Sequence, residues 1–115
     1  MPYDEMLERR VDAIVADTNM VLTKSKMFGC MAYFAKGDMC FAIMGEVLLV
    51  RSKPEGVDEL LHIPGTHEAQ MGARKMKGWI MAGGQAIATE ADVQKMLQMG
   101  FYRATELPPK DTNGN

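Results

Sequence analysis

The sequence predicts an α+β domain in which helices pack on a single antiparallel sheet, in the order α-β-β-β-α-β-β-α. Two observations support this prediction. Apolar residues recur at helical spacing near both ends of the chain, and a central stretch with strand-like alternation is divided by glycine-containing turns. The chain has 115 residues and no internal repeat, so we expect one domain over residues 1–107 and a disordered tail over residues 108–115.

The first predicted element is a helix from Asp4 to Ala16. Its apolar residues fall on one stripe, as expected for a helix with one buried face. These residues are Leu7, Val11, Ile14 and Val15. The turn-forming sequence Asp17-Thr18-Asn19 predicts where the helix ends.

The central stretch predicts three strands, Lys24–Lys36, Met39–Met44 and Val47–Arg51. Gly37-Asp38 and Gly45-Glu46 separate them, and we expect each pair to form a two-residue hairpin turn, because glycine readily adopts the positive φ that such turns require. These turns would set the register of both hairpins.

This register predicts two largely apolar sheet faces, because successive side chains of a strand alternate between faces. The first face is expected to contain Phe28, Cys30, Ala32, Phe34, Met39, Phe41, Ile43, Leu48 and Val50. The second is expected to contain Met27, Met31, Tyr33, Ala35, Cys40, Ala42, Met44, Val47, Leu49 and Arg51. The two cysteines fall on opposite faces and cannot form a disulfide with each other.

A second helix is predicted to follow the sheet hairpins. Ser52 is the expected N-cap, Pro54 suits the first turn, and Glu55 occupies the capping-box position. Its apolar stripe is Val57, Leu60 and Leu61. The sequence Ile63-Pro64-Gly65 predicts its end.

Two strands and a final helix complete the prediction. The strands are Glu68–Arg74 and Lys77–Ala82, joined around Lys75-Met76. Thr89 is the expected N-cap of the last helix, with Asp92 at the capping-box position. Apolar residues follow at helical spacing.

The composition excludes several classes of protein. The net charge of −2 is not that of a generally basic protein that coats nucleic acid, and no apolar run approaches the length of a membrane span. The amino terminus is acidic and amphipathic, unlike a secretory signal, so we expect a cytoplasmic location. Two cysteines are too few for a disulfide framework.

No set of residues in the sequence forms a recognisable catalytic motif. His62 and His67 flank Pro64-Gly65, but two histidines leave a metal site short of ligands, so we expect them on the surface. Gly29 and Gly83-Gly84 do not match phosphate-binding loops. We therefore expect no catalytic residues, metal or cofactor, while a small enzyme of unassigned activity stays open as an alternative.

Basic residues gather in three short segments, and this supports an alternative function in nucleic-acid or anion binding. The candidate contacts are Lys24, Lys26, Arg51, Arg74, Lys75, Lys77 and the neighbouring Trp79. That function requires the separate segments to meet on one surface. Otherwise the lysines are solvated strand edges that prevent unwanted pairing, and the tryptophan is a core or interface anchor.

The twelve methionines indicate an association surface, because methionine suits apolar surfaces that adapt to a partner. If all helices cover the first sheet face, the second is left exposed, and an exposed apolar patch marks an interaction site. The expected interface residues are Met27, Met31, Tyr33, Met44 and Leu49. We expect a homodimer, with helices divided between the two faces as the alternative.

Several short segments, in order along nearly the whole chain, resemble the TfoX/Sxy N-terminal domain family. They are Tyr3-Asp4-Glu5, Lys26-Met27-Phe28-Gly29, Leu48-Leu49-Val50-Arg51, Arg74-Lys75-Met76-Lys77-Gly78-Trp79 and Leu107-Pro108-Pro109-Lys110. The resemblance implies a two-layer fold of the secretion-chaperone type. It also implies a regulatory or adaptor domain linked to transcriptional regulation of natural competence, acting by protein–protein interaction and without enzymatic activity.

Overall fold

The computed structural model describes residues 3–106 and has three helices and one six-stranded antiparallel sheet. The helices are α1 (Glu5–Thr18), α2 (Val57–Leu60) and α3 (Glu90–Glu106), and short 3-10 turns at Pro54–Gly56 and Gly84–Ile87 precede the last two. The strands are β1 (Thr23–Met27), β2 (Cys30–Ala35), β3 (Asp38–Met44), β4 (Val47–Arg51), β5 (Thr66–Met71) and β6 (Arg74–Ala82). The α+β class and the single antiparallel sheet are confirmed. The predicted tail over 108–115 lies outside the described residues.

The sheet order is β1-β2-β3-β4-β6-β5, so that β1 and β5 form its two edges. It has one strand more than predicted, because the stretch Lys24–Lys36 folds into a hairpin rather than one strand. Phe28 and Gly29 form its turn with φ of 52° and 78°, and Met27 pairs with Cys30. Two successive positive φ values are the geometry of a type I′ hairpin turn. Phe28 therefore lies outside the sheet, and its predicted place on the first face is wrong.

The next hairpin turns one residue earlier than predicted. Lys36 and Gly37 occupy the turn with φ of 53° and 86°, so Ala35 pairs with Asp38. The predicted turn at Gly37-Asp38 is wrong. Lys36 adopts the left-handed conformation and is the first turn residue, whereas the glycine in the sequence does not by itself indicate which of its neighbours shares the turn.

A β-bulge then changes which side chains share a face. Phe34 pairs with Met39 but Tyr33 pairs with Phe41, so Cys40 falls at the irregularity. A bulge of this kind opposes two residues of one strand to one residue of the other. Tyr33 therefore joins Phe41 on one face, while Phe34 lies on the other.

The register of β3 with β4 is confirmed, because Met44 pairs with Val47 and Phe41 with Val50. Four residues predicted to share a face do so in the main core: Phe41, Ile43, Leu48 and Val50. Four residues predicted on the opposite face lie with them instead, and these are Met31, Tyr33, Ala35 and Cys40. The bulge explains the exchange, because a shift of one residue reverses every side chain of a strand, whereas the earlier turn shifts the pairing by two residues and keeps the faces.

We call this covered surface the helix-side face, because all three helices contribute to its core. Buried residues of α1 and α3 pack against it, namely Leu7, Val11, Ile14, Val93, Met96, Leu97 and Ala104, with Val57 and Leu60 of α2 at the margin. Gly100 brings α3 close to the sheet, since a Cβ at this position would lie 2.5 Å from the Cys40 carbonyl oxygen. Among residues 3–106, the apolar cluster on the opposite side of the sheet contains no helix residue.

Local capping signals are confirmed at two helices. The Asp4 carboxylate accepts a hydrogen bond from the Met6 backbone N–H at 2.8 Å, and Asn19 ends α1 with φ of 59°. Thr89 and Asp92 form a reciprocal capping box at α3, with distances of 3.1 and 3.4 Å.

The predicted N-cap at Ser52 is wrong, because this residue belongs to the end of the sheet. Its backbone N–H donates to the Gly78 carbonyl at 2.5 Å, and its carbonyl accepts from Arg103 at 3.2 Å. Lys53 precedes the 3-10 turn instead, without a side-chain capping bond. The β5–β6 connection also differs from the prediction and lies at 72–73.

Within residues 3–106, no helix is both long enough and apolar enough to cross a membrane.

Candidate functional site

The sheet surface opposite the helices, here called the open face, is a thin apolar layer. Its inner residues Ala32, Ala42 and Leu49 are at most 2% exposed, although no helix of the described part of the chain packs in their cluster. Longer neighbours shield them and are themselves only half-buried, namely Phe34, Met39, Met44 and Met81. The sheet's own side chains thus provide the cover, and their outer surfaces remain accessible.

A cavity of about 110 Å3 opens at the β1–β2 end of the open face. Its lining is almost entirely apolar and consists of Met27, Phe28, Cys30, Ala32, Met39, Ala42, Met44 and Leu49. Burial raises the pKa of the Cys30 thiol, so this sulfur is mostly protonated at pH 7 and is not an activated nucleophile. The cavity can therefore accept an apolar group but offers no activated thiol.

Phe28 stands at the rim of this cavity and is 90% exposed. It combines two unfavourable features, because a large apolar side chain faces water and a non-glycine residue adopts φ of 52°. Asparagine or glycine is preferred at such a turn position. The corresponding turn position of the next hairpin is occupied by Lys36, a charged residue that is exposed to water without this cost. Hairpin formation does not require an aromatic side chain at this turn.

Arg51 and Trp79 close the other end of the open face. The Arg51 guanidinium lies over the indole ring at 4.6 Å from the ring centroid, and its Nε donates to the Met39 carbonyl at 2.6 Å. Burial lowers the pKa of Arg51, although an arginine stays charged at any ordinary pH. Both residues were predicted as anion contacts, and the structure uses them within the domain.

Lys24 is also engaged within the domain. Its Nζ donates to Glu8 at 2.6 Å and to Asp12 at 2.8 Å, and Asp12 accepts a further bond from the Tyr33 hydroxyl at 2.7 Å. Burial acts to lower the pKa of Lys24, but the bonds to the two carboxylates outweigh it and the pKa is raised. The network fastens α1 to the β1–β2 hairpin.

The predicted basic surface is divided by the sheet. Lys24 and Lys26 lie on the edge strand β1, whereas Arg74, Lys75 and Lys77 lie on β6, with three strands between. Four strand spacings amount to about 19 Å. Lys75 also lies 3.4 Å from the Glu68 carboxylate. The structure therefore does not bring the basic segments together on one surface.

The five predicted interface residues lie on two different faces of the sheet. Met27, Met44 and Leu49 belong to the open face and line its cavity. Met31 and Tyr33 are buried in the helix-side core, so their predicted position at the exposed face is wrong. Phe34, Met39 and Met81 take their place.

The histidines and the other potential metal ligands are dispersed in the part of the chain that the structure describes. His62 and His67 are both exposed, and no three potential metal ligands of residues 3–106 lie together. A cavity of about 340 Å3 between the Pro54–Gly56 turn and β6 has a charged rim, but its described lining contains no histidine, serine or cysteine. Its charged lining residues are Asp58, Glu68, Lys75 and Lys77, and the Lys75 ammonium lies 3.4 Å from the Glu68 carboxylate.

Phe28 is one of several residues of this site that the sequence pattern misplaced, together with Phe34 and Met39. The signal for its turn was the following Gly29, because an X-Gly pair between two apolar runs is a hairpin pattern.

Comparison of the chain with protein-family models, with curated proteins and with solved structures finds no match.

Proposed function

We propose that this is a non-enzymatic regulatory or adaptor domain that acts by protein–protein contact through its open face. One observation carries the proposal: all three helices pack on one side of the six-stranded sheet, and the apolar cluster on the other side contains no helix residue. An apolar sheet surface without such cover is typical of an interaction site.

The chemistry of the open face supports a protein partner. Met39, Met44 and Met81 are long, flexible and half-buried, so they can adjust to an opposing surface at low cost. The cluster contains no charged residue, and Arg51 at its margin is already engaged by Trp79. A surface of this composition favours apolar contact over binding to phosphates.

The sequence resemblance to the TfoX/Sxy N-terminal domain supports the biological setting. It supports a role in transcriptional regulation of natural competence, a cytoplasmic location and a fold of the secretion-chaperone type. The proposed domain would contribute a contact surface to such a regulator rather than a catalytic centre.

A comparison of two methionine variants tests the proposal. Met44→Lys places a charge in the open face, and the long lysine stem can still cover the neighbouring alanines. Met6→Lys makes the same chemical change on the exposed surface of α1, where Met6 is 67% exposed. Each variant and the wild type would be immobilised, and proteins captured from host lysate would be compared by mass spectrometry.

We expect wild type and Met6→Lys to capture the same set of other proteins, and Met44→Lys to lose them. Circular dichroism and the unfolding midpoint establish that each variant is folded. Retention of the same captured proteins by folded Met44→Lys would show that the open face is not the contact surface.

A further inference from the structure

We propose that the open face binds a second copy of this chain, and that Phe28 of each copy inserts into the open-face cavity of the other. The inference rests on the proposed function and names its partner. It assigns Phe28 as an anchor residue and the cavity of about 110 Å3 as its receptor.

The conformation of Phe28 is the first argument. An exposed phenylalanine at φ of 52° costs free energy on two counts, in backbone conformation and in hydration of the ring. Backbone strain of this kind is typical of functional sites. These costs favour a role for Phe28 in binding a partner, because burial of the ring against the partner would remove the unfavourable hydration of the ring.

The cavity is the second argument. Its lining residues are apolar, and it lies directly beside the turn that carries Phe28. Dry apolar cavities of about 150 Å3 hold a benzene molecule in other proteins, so a cavity of this order suits a phenyl ring once its walls adjust. Three of those walls are the methionines Met27, Met39 and Met44, which are flexible and make favourable contacts with aromatic rings.

Symmetry then favours a second copy as the partner. A two-fold interface must be self-complementary, so that a projection and its receptor lie on one surface of the same molecule. Phe28 and the cavity meet this condition. Arg51, the charged residue at the margin of this face, is engaged by Trp79 and the Met39 carbonyl of its own copy, and the apolar cluster beside it can face a second copy.

The area of the face is of the order that a dimer needs. Six strands spaced by about 4.8 Å and about 17 Å long present roughly 500 Å2 in projection, and side-chain relief increases the accessible area. A stable interface buries about 800 Å2 per partner. Pairing through the edge strand β1 is disfavoured, because Lys24 and Lys26 of two antiparallel copies would lie opposite each other.

Phe28→Asn tests the anchor, with Lys36→Asn as its matched control at the same position of the next hairpin. Sedimentation velocity over micromolar concentrations would measure the dimer dissociation constant. We expect a wild-type dimer, at least a tenfold weaker dimer for Phe28→Asn, and no change for Lys36→Asn. Phe28→Asn should also keep or raise the unfolding midpoint at a concentration where the protein is monomeric, because asparagine suits the left-handed conformation.

Photocrosslinking distinguishes insertion into a second copy from closure over the cavity of the same chain. The photoreactive amino acid p-benzoylphenylalanine would replace Phe28 or, as a control, Lys36. We expect a crosslink of dimer mass from position 28 that maps to Met39 or Met44, and none from position 36. Crosslinks confined to the monomer would overturn the proposal and indicate that Phe28 covers its own cavity.

Two further results would overturn it. A wild-type dissociation constant in Phe28→Asn would exclude the anchor but not the dimer. A wild-type chain that stays monomeric would exclude the second copy as partner. Neither result decides the proposed function, because the Met44→Lys capture experiment reads contact with other proteins through the same face.

Discussion

The Arg51 guanidinium stacks on the indole ring of Trp79, 4.6 Å from its centroid, and ties β4 to β6 at one end of the open face. The same side chain donates from Nε to the Met39 carbonyl of β3 at 2.6 Å. One arginine therefore connects three neighbouring strands through a cation–π contact and a charge-assisted hydrogen bond. The planar, multiply donating guanidinium is suited to both contacts at once.

We expect Arg51→Lys to destabilise the domain by about 1–3 kcal/mol, because lysine keeps the charge but loses the planar stacking and the directed Nε bond. Urea denaturation measures the free energy of unfolding. Lys77→Arg, an exchange between the same two residue types at an exposed position of β6, is the control and should change it by less than about 0.5 kcal/mol. Equal stability of Arg51→Lys and wild type would show that the charge alone matters.

Tyr33→Phe should cost about 1 kcal/mol, because it removes the hydroxyl that donates to Asp12 at 2.7 Å while leaving the buried ring in place. Tyr102→Phe makes the same change on a 57% exposed tyrosine of α3 and should be neutral. The free energy of unfolding again provides the measurement. A loss of similar size in both variants would mean that the Asp12 hydrogen bond contributes nothing specific.

Alkaline pH should destabilise the domain through Cys40. Burial raises the pKa of this thiol from 9.0 to about 11, so the folded state keeps the proton that the unfolded state releases. Its contribution is fully present below pH 9.0 and is lost as the pH rises towards 11, with a slope of at most about 1.4 kcal/mol per pH unit.

The Cys40→Ala variant isolates this effect. It should lower the free energy of unfolding at pH 7, because it leaves a small cavity, yet reduce the decline between pH 9 and 11. Tyr33, whose pKa burial also raises, adds a loss of the same sign at still higher pH and should persist in the variant. An unchanged slope in Cys40→Ala would contradict the assignment to this thiol.

The two cysteines should differ in their reaction with iodoacetamide. Cys30 is half-buried at the open-face cavity, whereas Cys40 is fully buried behind α3. We expect Cys30 to be alkylated in the folded protein and Cys40 only after global unfolding, with mass spectrometry to locate the label. Alkylation of Cys40 at the rate of Cys30 would contradict the described core.

In the proposed dimer, alkylation of Cys30 should also slow as the protein concentration rises, because the partner's Phe28 would occupy its cavity. Phe28→Asn should remove this concentration dependence while leaving the rate in the monomer nearly unchanged.

Several elements were predictable because their signals are local. The stripe of α1, its end at Asn19 and the Thr89–Asp92 capping box each depend on residues within one or two helical turns. The register of β3 with β4 follows from the Gly45 turn in the same way. Local backbone conformation and periodicity therefore determined the order of elements and part of the core.

The face assignments of β1 and β2 were not predictable from the same signals. Phe28 and Lys36 adopt positive φ although neither residue type favours it, and the bulge at Cys40 adds one residue to β3. The Phe28 hairpin and the bulge each exchange the faces of the strands that they join, whereas the turn at Lys36 moves the pairing by two residues and keeps the faces. Tyr33 and Phe34 consequently traded places between the helix-side core and the open face.

The sequence by itself determined the class of fold, the end of α1, the start of α3 and the register of β3 with β4. The tertiary structure decided the strand order, the common side of all three helices and the engagement of Lys24 and Arg51 within the domain. The physical reason is the separation along the chain of the residues that interact. Helix caps and turns depend on neighbours in sequence, whereas the choice of covered face depends on packing between residues far apart in the chain.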